Sequence, residues 1–541
     1  MKLTRRDFVK MAAGAGIGVL ALGGLGIQKD VLAQLQPNED VSKLAKIPRR
    51  VKAYNRRLRA AKRERRRPRP SHLTNGDEQL YANKIGNYSK ALPHNDLGEV
   101  DLQAYQSLIA ALTTGSPQDF ESIQLGDAVK LVNPQAAYAF ELIGPDSHHV
   151  GLIPPPSFSS AEEASEMGEV YWQALARDIP FSEYGTNILI DQAAGDLSHF
   201  SDFRGPKEGS SVTPETIFRG NTPGDLAGPY ISQFLWKDIP YGAITVTQKI
   251  NAAAPNIDFM TNYTDWLNVQ NGSIAGPLTL DPTPRFIRNG RDLGEYVHLD
   301  WTYQAFLNAC LILLRMVAPF DTGNPYLGSL TQDGFSTFGG PHILHLVGMV
   351  GNLALKAAWF QKWLLHRRLR PEEFGGRIHN HRTGSASYPI NAEILDSDAV
   401  TEVFNKHGTY LLPQAYPEGC PTHTAYPSGH ASFSGAGATV LKAFFDESFV
   451  IPDPVEASPD GLSLVPYTGP DLTVGGELNK LASNIGFGRD FAGLHWRSDI
   501  IEGMKLGEEV SILVLTEMRL TFNENFGGFS LTKFDGTQIT I

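Results

Sequence analysis

Apolar residues recur every three or four positions over 101–112, 161–175, 293–317, 342–369 and 499–520, a spacing that predicts amphipathic helices rather than strands. The stretches 293–317 and 342–369 are long enough to be rods through a core. A further helix is expected to start at Ser428. Pro427 closes whatever precedes it, Ser is a good N-cap, and Gly429 leaves room for a ligand at the first free N–H groups. Between the helices lie long segments rich in Pro, Gly and Asn, of which 452–476 is one. The aromatic run Gly228-Pro229-Tyr230-Ile231-Ser232-Gln233-Phe234-Leu235-Trp236 reads as core packing, with a cavity wall as the alternative. Strand-like alternation is confined to the two sides of Asp535-Gly536, a hairpin signal. The pattern predicts an all-α, mainly helical protein with long loops and a minor C-terminal β-hairpin.

Composition leaves that picture intact: 42% apolar and 19% charged residues are the balance of a soluble globular chain. The net charge of −11 is unevenly spread. Residues 49–69 hold twelve Lys/Arg against one acid, Glu64, so the remainder is more acidic than the whole, which argues against a nucleic-acid partner. The basic run has a thin apolar face and ends at Pro68 and Pro70, which suits a solvated or subunit-contacting helix better than a lipid surface. Residues 34–95 are therefore read as a basic N-terminal arm and 96–541 as one helical unit. Ahead of the arm, Thr4-Arg5-Arg6-Asp7-Phe8-Val9-Lys10 precedes a Gly/Ala-rich apolar run and Val31-Leu32-Ala33. That arrangement resembles a twin-arginine signal peptide over 1–33, which implies export to the periplasm or beyond and no membrane attachment after cleavage. The only two cysteines, Cys310 and Cys420, leave a single disulfide open and exclude a disulfide framework.

Candidate chemistry collects in three segments of 342–520. The first is Lys362-Trp363-Leu364-Leu365-His366-Arg367-Arg368-Leu369-Arg370-Pro371, read as a helix end that Pro371 terminates. Eight helical residues separate Lys362 from Arg370 by ~12 Å along the axis, so the two meet at one anion only by reaching toward each other. Arg367 and Arg368 are expected to be solvated. The second segment is His423-Thr424-Ala425-Tyr426-Pro427-Ser428-Gly429-His430, and the third is the Gly-flanked loop Gly488-Arg489-Asp490-Phe491-Ala492-Gly493-Leu494-His495-Trp496-Arg497-Ser498-Asp499. Together they offer three long cations, a hydroxyl, a helix start and three histidines. A buried tetrahedral oxyanion of charge about −2 to −3 needs that kind of neutralisation. A histidine can bond its central atom, another can trade protons, and Asp499, four residues after His495, is expected on the same helical face, placed to orient that imidazole. Each residue alone has a structural explanation; the ordered set of three does not.

This trio, Lys…Arg-Pro, Pro-Ser-Gly-His and Arg-x5-His-x3-Asp, resembles the superfamily shared by vanadium-dependent haloperoxidases and type-2 phosphatidic acid phosphatases. The eight-residue separation of Lys362 from Arg370, and His423 seven residues before His430, resemble the red-algal and cyanobacterial bromoperoxidases. The likeness extends through Asn289-Gly290-Arg291-Asp292, 228–236 and Phe338-Gly339-Gly340-Pro341-His342 to most of the chain after about Arg49. It implies two four-helix-bundle halves per subunit and a vanadate cofactor with His495 as the vanadium ligand. Lys362, Arg370, Ser428, Gly429, His430 and Arg489 would then hold the vanadate, with His430, His423 and Lys362 in catalytic roles and Asp499 behind His495. Hydrogen peroxide, a halide and a small organic acceptor are the implied partners, bromide or iodide before chloride, although Gln361 stands where related enzymes carry arginine. A homo-oligomer, up to a dodecamer, and a structural calcium near Asp321 or Asp333 are also implied. The rival reading is an exported soluble acid phosphatase with His495 as nucleophile. A catalytically idle oligomeric shell that only retains an anion is a third, against which the three histidines speak, because retention alone needs no titrating imidazoles.

Overall fold

The computed structural model describes residues 49–541, which form two units, one ending at Arg66 and the other running from Arg67 to Ile541. The expected signal peptide and the front of the arm lie outside the described residues. The first unit shows one helix, α1 (Arg49–Arg66), none of whose residues is buried. The expected arm is thus divided, because residues 67–95 belong to the larger unit, where Tyr88, Ser89 and Lys90 are fully or almost fully buried.

The larger unit is helical, as the apolar spacing predicts. Its helices of ten or more residues are α2 (Leu102–Thr114), α3 (Ala161–Ala176), α4 (Ile188–His199), α5 (Gln304–Arg315), α6 (Gly340–Phe360), α7 (Pro371–Arg382), α8 (Asp398–His407), α9 (Gly429–Phe444), α10 (Val474–Phe491) and α11 (Arg497–Met518). Among the described residues the only strands form three two-stranded antiparallel hairpins, and the last of them, Ser530–Thr532 with Gln538–Thr540, lies where Asp535-Gly536 signals it. Helix α9 is the axis of one helical group and packs on α5, α6, α10 and α11; α3, α4 and α8 form a second group. Phe306, Leu346, Val350, Val440, Leu441 and Val514 are fully buried between the helices of the first group, each contributing roughly 1.5–3 kcal/mol of transfer free energy. The 228–236 run is core, with Ile231, Phe234, Leu235 and Trp236 all buried. The segment Gly340–His366 has the length and apolarity of a membrane span, and half of its most apolar window is buried inside the fold.

Two expected rods are broken. Over 293–317 the chain makes a short helix, Gly290–Tyr296, then a turn through Tyr303 at φ 60°, and only then α5. Over 342–369, α6 loosens into a π-helical turn at Gln361–His366 and stops at Arg367, whose φ of 36° is left-handed. Pro371 does not terminate that helix. It opens α7, where a missing N–H is harmless because the first turn has no acceptor for it. The expected loop 488–499 is also shorter than its glycines suggest, because Gly488 to Phe491 complete the last turn of α10. Both cysteines are free and buried, so no disulfide links them.

The feature that positions the site is the contact between α9 and α11. A Cβ on Gly435 would lie 2.1 Å from the Met504 carbonyl oxygen, and one on Gly507 would lie 2.0 Å from that of Ser432, so the two backbones touch with no side chain between them. The Ser428 N–H donates to the Asp499 carbonyl at 2.9 Å, and farther along Ser511 Oγ donates to the Ala436 carbonyl at 3.0 Å. The helices therefore run parallel, and their N-termini open side by side.

Candidate active site

Two helix starts converge where the three sequence segments meet. At α9, Ser428 is the N-cap and its side chain accepts from the Ala431 N–H, while the N–H groups of Gly429 and His430 have no intrahelical acceptor. At α11, Asp499 occupies the third position and reaches back to the Trp496 N–H at 3.2 Å. Both dipoles present their positive ends to the same place, which favours an anion there.

Three buried cations surround that place. Lys362 and Arg370 are fully buried and Arg489 is 7% exposed, and among the described residues none of the three is ion-paired. Lys362 Nζ donates only to the Thr424 and Ala425 carbonyls, at 2.6 and 2.7 Å. Arg370 donates to the His423 carbonyl from Nε and Nη2, to the Leu494 carbonyl from Nη1, to His495 Nε2 at 2.8 Å and to His423 Nδ1 at 3.0 Å. Arg489, in the last turn of α10 rather than in a loop, spends Nη1 on the Val297 carbonyl at 2.8 Å, and its Nε is buried without a partner. Burial, and then the charges of Arg370 and Arg489, hold the Lys362 ammonium well below its ordinary range. A buried cation without a counter-charge costs several kcal/mol, so an arrangement of this kind suits an oxyanion.

The histidines are set for different work. Burial, followed by the fields of Arg370, Lys362 and Arg489, pushes His495 far below the ordinary histidine range, so its ring is neutral. Its Nδ1–H donates to Asp499 Oδ2 at 2.7 Å, which leaves Nε2 carrying the lone pair that Arg370 contacts. Asp499 makes this bond from inside the first turn of α11 while His495 precedes the helix, so the pair does not arise from one helical face. Burial, then Lys362 and Arg370, likewise keeps His423 neutral; its ring packs 4.9 Å from the Trp359 ring. His430 is partly exposed, with Nε2 2.9 Å from Asp300 Oδ1.

Several residues that the sequence did not single out complete the site. Arg368, expected to be solvated, is 1% exposed and bonds Asp499 Oδ1 and Ser498 Oγ at 2.8 Å, Glu166 at 2.9 Å, and Glu163. Burial opposes its charge, but Glu163, Asp499 and Glu166 outweigh that and raise it above the ordinary guanidinium range. Arg367 is not free in solvent either, being held by Glu78 and the Trp363 carbonyl. The i, i+3 stripe Glu163, Glu166, Glu169 along the buried helix α3 was the available signal for the first of these contacts. Asp300 had no local signal. Asp321 spends its carboxylate on the Gly323 N–H at 2.9 Å, and among the described residues no group of three or more His, Cys, Asp or Glu could hold a metal ion there or near Asp333.

Residues 347–524 match the family model described as the VCPO second helical-bundle domain. The chain is 38% identical over 495 residues to a vanadium-dependent bromoperoxidase of Ascophyllum nodosum, covering 87% of this chain and 88% of that protein. The chain belongs to the vanadium-dependent haloperoxidase family. Another family member, the vanadium-dependent bromoperoxidase of Corallina officinalis, is 36% identical over 87% of this chain and 94% of its own. Within the family the fold is close to the homohexameric structure of a second vanadate-dependent bromoperoxidase from Ascophyllum nodosum, with a TM-score of 0.88 at 31% identity over 95% of both chains. The all-α class expected from the sequence is the class of this family fold.

Proposed function

We propose that this protein is a vanadate-dependent bromoperoxidase that converts bromide, hydrogen peroxide and a proton to hypobromous acid and water, the hypobromous acid then halogenating small organic acceptors. The observation that carries the reading is the set of three buried basic side chains without a counter-charge beside the Nε2 of a neutral histidine, which Arg370 contacts, at two adjoining helix N-termini. Lys362, Arg370 and Arg489, with Ser428 Oγ and the Gly429 N–H, would hold the vanadate oxygens, and His495 Nε2 would bond the vanadium once Arg370 yields its hydrogen bond to that nitrogen. Bound vanadate supplies Lewis-acid activation of peroxide without a change of oxidation state. Asp499 holds His495 in the tautomer that exposes Nε2; burial pushes the Asp499 carboxyl above its ordinary range, and the Arg368 guanidinium at 2.8 Å opposes that shift. His430, anchored at Nε2 by Asp300, has Nδ1 left to take a proton from incoming hydrogen peroxide and pass it to the displaced hydroxyl, which would leave as water. Lys362 Nζ, anchored by the Thr424 and Ala425 carbonyls, would direct its remaining hydrogen-bonding capacity at the vanadate oxygens. The neutral His423 fixes the Arg370 guanidinium, and with Trp359 it shapes the approach for the halide.

The same residues could serve phosphate-ester hydrolysis, but the relatives found carry bromoperoxidase names. The deciding assay is bromination of a dimedone-type acceptor by metal-stripped protein before and after orthovanadate, with phosphate as competitor. Activity that requires vanadate and is suppressed by phosphate supports the proposal; hydrolysis of a phosphate monoester that vanadate inhibits, without bromination, refutes it. Repeating the assay with chloride and iodide ranks the halides. We further propose twin-arginine export, resting on Arg5-Arg6 and Val31-Leu32-Ala33, to be checked by sequencing the mature N-terminus. A homo-oligomer of six or twelve copies belongs to the same reading. It is supported by the homohexameric relative and by Phe140 and Leu142, 82% and 97% exposed in the single chain. Sedimentation measures the number.

A further inference from the structure

Two working parts of the site hang from one strap. Residues 297–300 follow the short helix Gly290–Tyr296. The Val297 carbonyl receives Arg489 Nη1 at 2.8 Å, and three residues later Asp300 receives His430 at 2.9 Å. One of the two residues between them, His298, is 17% exposed at its side chain, and among the described residues none of its ion pairs reaches a cradle cation or His430. Its Nε2 lies 2.6 Å from Glu418 Oε1, and its Nδ1 lies 3.5 Å from Glu295 Oε2, an ion-pair contact without a hydrogen bond. Its ring stacks on Tyr416 at 3.8 Å with the planes 9° apart, and the Arg489 guanidinium lies over the same Tyr416 ring at 5.6 Å. The Tyr416 hydroxyl donates to the Gly294 carbonyl, closing the contact back onto the short helix.

Glu295 supplies the second half of the argument. Its side chain is 2% exposed, both of its carboxylate oxygens are buried without a hydrogen bond, and among the described residues His298 is its one ion-pair partner. A buried carboxylate in that position demands a cation beside it. We propose that His298, held as an imidazolium between Glu295 and Glu418, is a positioning residue that fixes the 297–300 strap and so registers Arg489 and His430 with respect to each other. This rests on the functional reading above. The groups facing His298 are Glu295 from its own side, and Glu418 and Tyr416 from the 411–420 segment, with Arg489 beyond the tyrosine ring. Burial works against the imidazolium, but the two glutamates outweigh it and raise its pKa to about 9. The clamp is charged at neutral pH and opens as pH rises through about 9.

The test compares His298→Gln, His298→Lys and Glu418→Gln in the full chain, read first without vanadate by hydrogen exchange at the Val297 and His298 amides, which donate to the Leu293 and Glu295 carbonyls. Exchange about tenfold faster in His298→Gln than in wild type at pH 7 is expected, with His298→Lys close to wild type because the cation is retained. With vanadate, His298→Gln is expected to bind more weakly and turn over more slowly, and its activity should lack the alkaline fall near pH 9 expected of wild type. His298→Lys should carry that fall to higher pH. Wild-type exchange and vanadate affinity in His298→Gln would overturn the proposal, as would a His298→Lys protein that behaves like His298→Gln. Should His298→Gln not fold, Glu418→Gln at the exposed end of the clamp takes its place with the same expectations. The exchange arm needs no bromination, so failure of the clamp and failure of the bromoperoxidase reading are separable.

Discussion

Replacing Asp499 by alanine isolates what holds the proposed vanadium ligand. The carboxylate joins three partners, His495 Nδ1 at 2.7 Å, Arg368 Nη1 at 2.8 Å and the Trp496 N–H at 3.2 Å. Charge-assisted hydrogen bonds of this kind contribute about 1.5–3 kcal/mol each. Arg368 is not stranded by the loss, because Glu163 and Glu166 still hold it, so the cost to stability should sit near the lower end, about 3 kcal/mol, of what breaking a buried pair costs. The cost to binding is separate: without its anchor the His495 ring is free to rotate and to change tautomer, which predicts a loss of about 10 to 100-fold in vanadate affinity. Asp499→Asn should fall between, since one amide oxygen can serve His495 or Arg368 but not both. The assay is titration of stripped protein with orthovanadate, read by ultraviolet difference and by returning bromination, beside urea unfolding; His495→Ala, expected to abolish both readouts, sets the floor. An Asp499→Ala affinity within about threefold of wild type would refute the idea that this carboxylate orients the ligand.

His430→Ala should still bind vanadate but lose about 10² to 10⁴-fold in turnover, and unchanged turnover would remove it from proton transfer. If the cations are waiting for an oxyanion, vanadate or phosphate at about 100 times its dissociation constant should stabilise the fold by about 2.7 kcal/mol, visible as a raised melting temperature; no shift with either ion contradicts the cradle. Gly507→Ala, whose new methyl would fall 2.0 Å from the Ser432 carbonyl oxygen, should cost at least about 1–3 kcal/mol in urea unfolding, and a neutral result would mean the helices are free to part. His298 has its folded pKa raised from 6.5 to about 9. The stability it adds is therefore complete below about pH 6.5 and fades as pH rises through about 9, roughly 3 kcal/mol at most, and His298→Gln should flatten that slope.

The parts of this site that were legible in the sequence are those encoded locally. Ser428 as an N-cap, Gly429 as the first helical residue, and the ordered cations and histidines could all be read from short-range chemistry. What failed were inferences that needed a distant partner. Arg368 looks solvated beside Arg367 until Glu163 and Glu166, some two hundred residues earlier, fold against it. Pro371 looks like a stop because proline breaks helices from within, yet at the first position of α7 it is compatible with a start. The long apolar periodicity of 293–317 conceals a break, because the left-handed turn at Tyr303 is set by packing of its ring against Gly348 and Gly351 of α6 rather than by a glycine in the sequence. Asp300 falls in that break.

The backbone contact between α9 and α11 also governs how a site of this kind can diversify. Where a methyl group would stand on Gly435 or Gly507 there is already a carbonyl oxygen of the facing helix, and no compensating substitution can shorten a backbone. The seam is therefore closed to variation one residue at a time, whereas Trp359, Gln361, His423 and Asp300 lie on segments outside it. Laboratory selection for a different halide or a bulkier acceptor should accordingly accumulate its changes on those four positions and their neighbours, and leave the two glycine-lined helices as inherited.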